Sequence, residues 1–259
     1  MIINLLQYNH MSIEIEICCF SLGSALVAHE IKANRVELCG GFLEGGTTPS
    51  YGLIKIVLEK IRPDVFVMIR PRGGDFCYSA TEIETLQEDI MCIKSLSPSG
   101  FVFGALKPNG EIDTELCAKV IGWAAPFPVT FHRAFDQCKH SKEALEQIID
   151  VGFERVLTSG QENNVSEGLN NLKKLNQLAG NRIQIMAGAG VNAENVLELA
   201  KAGLKAVHFT GKEWENSSMM YTSKVSMQAD VLPDDLGRYE TSLKKANEIV
   251  QNLSSSTQT

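Results

Sequence analysis

Short β-branched runs alternate with helical stretches about eight times along this chain, and that alternation restricts its fold more than any other feature. Candidate strands lie at 13–19, 35–40, 64–70, 100–104, 128–133, 155–159, 182–187 and 205–209. Helical patterns fall near 21–33, 50–61, 81–96, 113–124, 141–151, 166–179 and 192–202, with a last one near 236–252. Ser21, Ser50, Thr81, Asp113, Ser141, Ser166 and Asn192 stand where helix N-caps belong, and Gly152, Gly180 and Gly203 where helices stop. A helix between successive strands forces parallel pairing. Closing eight such units gives an α/β fold of the TIM (β/α)8 barrel type with an extra C-terminal helix. An open doubly wound sheet is the alternative, but it would press both strand faces against apolar helix stripes. Several of these strands are half polar.

The 259 residues fit one domain. We read 1–11 as an N-terminal extension, 12–250 as a single barrel domain and 251–259, rich in Ser, Thr and Gln, as a disordered tail. Met11 is as good a start as Met1. Lys212 to Pro233 is polar and poorly periodic and reads as a long loop after the eighth strand. A formal net charge of −7 argues against a nucleic-acid partner. No run approaches the roughly 20 apolar residues of a membrane span. Seven cysteines, an odd number in a long chain whose start lacks signal-peptide character, point to free thiols in a reducing cytoplasm.

Period-two alternation assigns the strand faces. In the first strand Ile13, Ile15 and Ile17 face the helices, and Glu14, Glu16 and Cys18 face the lumen. In the second, Arg35, Glu37 and Cys39 point inward. The same rule turns Arg70, Thr130, His132 and His208 inward from the third, fifth and eighth strands. One lumen therefore collects Glu16, Cys18, Glu37, Cys39, Arg70, His132 and His208, at the end of the barrel that carries chemistry in such folds. As catalytic candidates we take Glu16, Glu37, Arg70, His132 and His208. Arg70 is the natural partner of Glu37, since a buried carboxylate is costly unpaired. A purely structural Glu37–Arg70 pair is the bland alternative.

Cys18 and Cys39 occupy matching positions on adjacent strands, which lie about 4.8 Å apart. Two inward thiolates, with His132 or His208, make a soft-metal site suited to Cu(I) or Zn. Two small buried hydrophobes is the other reading. No CxxC pair is present. Met219, Met220 and Met227 fit loop or gap-filling roles better than copper ligation.

Glycine-rich turns follow the second, third, seventh and eighth strands. The last two stand at the usual barrel phosphate position. Arg72, Gly188, Gly190 and Gly211 are the anion-binding candidates, against a reading in which the glycines only serve tight turns. Phe131-His132-Arg133-Ala134-Phe135-Asp136 is the densest polar cluster on a strand end; Asp136 is placed to orient an imidazole or to pair with Arg133.

These residues together carry a resemblance. Glu14-Ile15-Glu16-Ile17-Cys18, Arg35-Val36-Glu37-Leu38-Cys39, Gly45-Gly46-Thr47-Thr48-Pro49-Ser50, Arg70-Pro71-Arg72-Gly73-Gly74-Asp75-Phe76, Phe131-His132-Arg133-Ala134-Phe135-Asp136 and Leu157-Thr158-Ser159-Gly160 resemble the CutC family over roughly Ser12 to Val250. The resemblance implies a TIM barrel, a cytoplasmic setting and a homodimer or homotetramer. It also implies a role in copper homeostasis, with Cu(I) held at Cys18 and Cys39. The turn Ala187-Gly188-Ala189-Gly190 is poorer in glycine than the family pattern. The rival reading is an enzyme performing acid/base chemistry on a small anionic or phosphorylated metabolite. There Glu16, Glu37 and His132 would move protons, and Arg70 and Arg72 would hold the anion.

Overall fold

A computed structural model describes residues 13–221, 223–225 and 236–255. Eight parallel strands close into a barrel in sequence order: β1 (Glu14–Cys19), β2 (Arg35–Leu38), β3 (Asp64–Met68), β4 (Gly100–Phe103), β5 (Val129–Phe131), β6 (Arg155–Thr158), β7 (Gln184–Gly188) and β8 (Ala206–Phe209). Seven helices fill the crossovers: α1 (Leu22–Glu30), α2 (Tyr51–Lys60), α3 (Ala80–Lys94), α4 (Thr114–Ala124), α5 (Ser141–Val151), α6 (Leu169–Ala179) and α7 (Val196–Lys201). The extra helix α8 (Leu243–Ser255) follows a two-stranded antiparallel hairpin of β9 (Lys212–Glu215) and β10 (Arg238–Thr241). The fold is thus the TIM barrel expected from the alternation.

Side-chain hydroxyls and carboxylates start several helices as anticipated: Ser21, Ser50 and Asp113 accept from backbone N–H groups of the first turn. Four caps lie elsewhere. α3 begins at Ser79, not Thr81, because Ser79 and Glu82 form a reciprocal capping box. His140, Gly168 and Asn195 precede α5, α6 and α7, in place of Ser141, Ser166 and Asn192. Asn192 Oδ1 still accepts from Glu194 and Asn195 N–H, so its side chain closes a turn ahead of the helix.

The stretch after β8 departs most from expectation. Lys212–Glu215 and Arg238–Thr241 pair as strands, so the loop read from Lys212 opens as β structure, and the last helix starts at Leu243. α8 also runs on through 251–255, residues that composition assigned to the tail. The expected extension at 1–11, the tail end at 256–259 and Met227 lie outside the described residues.

The outer core packs Ile15, Ile17, Val36, Leu38, Val67, Phe103, Phe131, Val156 and Val207 against the helices. The lumen is organised differently. Cys18, Cys39, Phe66, Met68 and Val102 form one apolar cluster, and Leu157, Met186 and Ala206 a separate one. The remaining inward positions are buried and polar: Glu16, Arg35, Glu37, Thr130, His132, Arg155 and His208. A TIM-barrel lumen is ordinarily filled by Val, Ile and Leu. Here charged groups occupy that space, which leaves them to be balanced against one another.

Candidate functional site

Register aligns the first polar row. Glu16 pairs with Arg35 on one side and with His208 on the other, so three lumen-facing groups lie side by side across β8, β1 and β2. Arg35 Nε lies 2.8 Å from Glu16 Oε2, and His208 Nδ1 lies 2.8 Å from Glu16 Oε1. Burial opposes ionisation of Glu16, but Arg35 and His208 outweigh it and hold its carboxyl down to about 2. Arg35 also reaches Glu154 Oε1 at 2.9 Å and Thr130 Oγ1 at 2.9 Å, with its guanidinium 3.2 Å from the centre of the Phe66 ring. Arg155 pairs with Glu14 at 2.6 Å. These groups close the lower lumen with a network of paired charges.

Above it lies the thiol site. Cys18 pairs in register with Glu37, two residues before Cys39, so the two cysteines are not direct partners. Their sulfurs nonetheless approach to 3.9 Å, because Cys39 continues the second strand beyond its last residue, Leu38. Cys39 Sγ lies 3.5 Å from Glu37 Oε2, and His208 Nε2 lies 3.8 Å from the same oxygen. The contact with Cys39 and burial push the Cys18 thiol well above its ordinary range. Burial and the neighbouring Glu37 push Cys39 up to about 12. Burial likewise raises Glu37. Burial disfavours a charged His208, but Glu37, Cys18 and Glu16 outweigh it and keep the imidazole protonated well above its usual range. The turn after β2 covers this site. Gly46, at φ +101°, passes so close that a Cβ there would lie 3.3 Å from Cys39 Sγ.

Arg70 does not pair with Glu37. It donates to Glu44 O at 2.7 Å, Gly46 O at 2.9 Å and Gly74 O at 2.8 Å. The expected ion pair is replaced by a clamp that joins the turns after β2 and β3, because those carbonyls reach the guanidinium first. Arg72 stays on the rim, bound to Glu82, Asp75 and Cys77 O.

The mouth holds a cavity of about 770 Å³ whose wall includes Cys18, Glu37, Arg70, His132, His208 and Lys212. Glu16 and Cys39 lie beneath this wall. His132 Nδ1 accepts from Ala134 N–H at 3.2 Å. Burial, and secondarily the charge on Arg70, depress its imidazole to about 3. Asp136 does not reach that ring. It pairs with Arg133 at 2.7 Å and accepts from Thr158 Oγ1 and the N–H groups of Ser159 and Gln161.

The anion candidates are dispersed. Gly190 lines the cavity. Gly188 faces the lumen, where a Cβ would meet Leu157 and His208. Gly211 turns toward Thr241 and Ala246. The hairpin, which the sequence did not disclose, brings Lys212 to the mouth, with Nζ 5.1 Å from the Phe42 ring centre and 4.8 Å from that of Tyr239. Arg35 was legible as an inward residue, but its role as the partner of Glu16 depends on register.

The CutC family model matches residues 13–213. The chain belongs to the CutC family. It is 43% identical over 244 residues to a family protein CutC of Bacteroides fragilis, covering 93% of this chain and 97% of that one. It is 41% identical to the human copper homeostasis protein cutC homolog, over 92% of this chain and 89% of the relative. The crystal structure of a CutC protein from Streptococcus agalactiae superposes with a TM-score of 0.73 at 37% identity, covering 76% of this chain and 98% of that one. Among the described residues no helix is long and apolar enough to cross a membrane.

Proposed function

We propose that this CutC-family chain is a cytoplasmic protein of copper homeostasis that binds Cu(I) through Cys18 and Cys39. The observation that carries this reading is the 3.9 Å separation of the two sulfurs, with Cys18 on the wall of the mouth cavity and Cys39 buried directly behind it. One ion reaches both at metal–sulfur distances of about 2.3 Å. Glu37 supplies a third donor atom, all three lying within 4.8 Å of one another. Two sulfurs with few further donors suit a soft monovalent ion, whereas structural zinc takes four ligands. The human and mouse relatives are named copper homeostasis proteins. The resemblance adds a homodimer or homotetramer to the proposal, which sedimentation measures directly.

An anaerobic Cu(I) titration against a competing chelator tests the reading, on wild type and on Cys18→Ser/Cys39→Ser. Tight binding of one ion per chain, abolished in the double variant, supports it. Weak binding, or binding unchanged by the substitutions, overturns it.

A second reading, acid/base chemistry on a small anionic metabolite, is favoured by the cavity itself. About 770 Å³ far exceeds what one ion needs and falls within the size of small-molecule sites. Lys212, Arg133 and His132 line it as well, and none of them is needed by a two-thiol metal site.

A further inference from the structure

His132 stands on the wall of the mouth cavity with a polar atom that the copper reading does not use. His132 is 3% exposed and lines the cavity. Its Nδ1 is occupied as an acceptor from Ala134 N–H, so a neutral ring must carry its proton on Nε2. That Nε2 is buried and has no hydrogen-bond partner. A buried donor left without an acceptor is destabilising, and a bound acceptor would recover that loss.

The ring is held firmly in this pose. A Cβ on Gly104 would fall 2.5 Å from His132 Nδ1, so the imidazole lies against bare backbone. Phe76 packs on it at 4.8 Å between ring centres, and Phe103 and Phe131 at 6.5 and 6.1 Å. Apolar surroundings and the nearby Arg70 keep it neutral, so it meets a ligand as a donor without charge. Such a donor suits a carbonyl oxygen and polarises it without transferring a proton beforehand.

The positive charge for an anionic group stands elsewhere on the same wall. Lys212 lies over the faces of Phe42 and Tyr239, and among the described residues no carboxylate lies within salt-bridge distance of it. Arg133, though paired with Asp136, is 44% exposed at its side chain and adds a second cation.

We propose that the mouth cavity binds a small oxo acid, its carbonyl oxygen on His132 Nε2–H and its anionic group toward Lys212 and Arg133. This rests on the second reading above, the small-molecule site, and is independent of the copper reading.

The test uses copper-free, full-length protein labelled with 15N-histidine, in wild type and in Cys18→Ser/Cys39→Ser. The probes are pyruvate and 2-oxoglutarate, with lactate as the analogue lacking the carbonyl. Long-range 1H–15N spectra should show His132 as the Nε2–H tautomer at neutral pH. At least one oxo acid should shift its Nε2 signal in both proteins, binding at least tenfold more tightly than the hydroxy analogue does. His132→Ala should weaken that binding at least tenfold, and His132→Gln, which keeps an amide donor, should recover part of it. An Nδ1–H tautomer or an imidazolium at neutral pH overturns the inference. Oxo acids that leave the Nε2 signal unmoved at saturation overturn it as well. Equal binding of pyruvate and lactate, indifferent to His132, overturns it while leaving an anion site standing. No binding by any probe removes the inference, while the copper titration decides the metal reading separately.

Discussion

His208 Nδ1 lies 2.8 Å from Glu16 Oε1, although 192 residues separate them in sequence. The contact joins the first strand to the last and closes the barrel with charge as well as with backbone pairing. Glu16 is ionised there because Arg35 and His208 together overcome its burial.

Glu16→Gln should therefore do two things. It leaves Arg35 and His208 buried beside a neutral amide, which should destabilise the fold by about 3 kcal/mol. It should also lower the His208 titration, since one of the groups raising it is gone. Chemical denaturation measures the first effect and NMR titration of the imidazole the second. Unchanged stability together with an unmoved titration would contradict the network.

Arg70 should act as a clamp and not as a counter-ion of Glu37. Arg70→Ala removes three charge-assisted bonds to backbone carbonyls of two turns. Hydrogen exchange should quicken at 44–46 and at 74, with a loss of about 2–3 kcal/mol. Arg70→Lys should rescue little, because an ammonium cannot reproduce the fork. Full rescue by lysine would show that only the charge matters.

His132 gives stability a pH dependence of known sign. Its folded pKa, about 3, lies below the ordinary value near 6.5. Below about 6.5 the unfolded chain takes up a proton that the folded one refuses. Stability should then fall as pH drops from about 6.5 toward 3, by about 1.4 kcal/mol per pH unit from this group. His132→Gln should show a shallower decline over that window in denaturant midpoints at pH 7, 6 and 5. Parallel curves for the two proteins would refute a neutral buried ring.

Gly104→Ala should disturb the same ring from beneath. The new methyl would fall 2.5 Å from His132 Nδ1 and 2.6 Å from Cε1, and the imidazole has little room to yield among Phe76, Phe103 and Phe131. A cost of about 2 kcal/mol is expected, with a displaced His132 signal in NMR spectra. A neutral substitution would mean that the ring moves freely.

The hairpin is tied to the barrel through Glu240. Ser24 Oγ donates to Glu240 Oε2 at 2.8 Å and accepts from Thr241 N–H at 3.0 Å. Ser24→Ala should cost about 1 kcal/mol and speed proteolysis between 212 and 241. Cleavage at the wild-type rate would show that other contacts hold the hairpin.

Local chemistry made much of this protein legible. Period-two alternation placed Cys18, Glu37, His132 and His208 inward and Cys19 outward, because a strand presents successive side chains to opposite faces whatever its neighbours are. Eight strand–helix units on short connections required parallel pairing, and the barrel followed. What remained illegible depends on register and on distant backbone. Cys18 pairs with Glu37 and not with Cys39, yet the sulfurs meet, and only the stagger of two strands decides that. Arg70 was aligned with Glu37 by strand position, but three carbonyls from two turns intercept it. Lys212 follows β8 by three residues, but its seat over Tyr239 exists only because β9 pairs with β10 across a segment that has no hydrophobic period of its own. Sequence by itself determined the fold and the inventory of the lumen, since burial and alternation act residue by residue. The tertiary structure alone decided which of those groups neutralise one another and which are left for a ligand, because a charge buried in a barrel takes the nearest partner in space, and that partner comes from another strand.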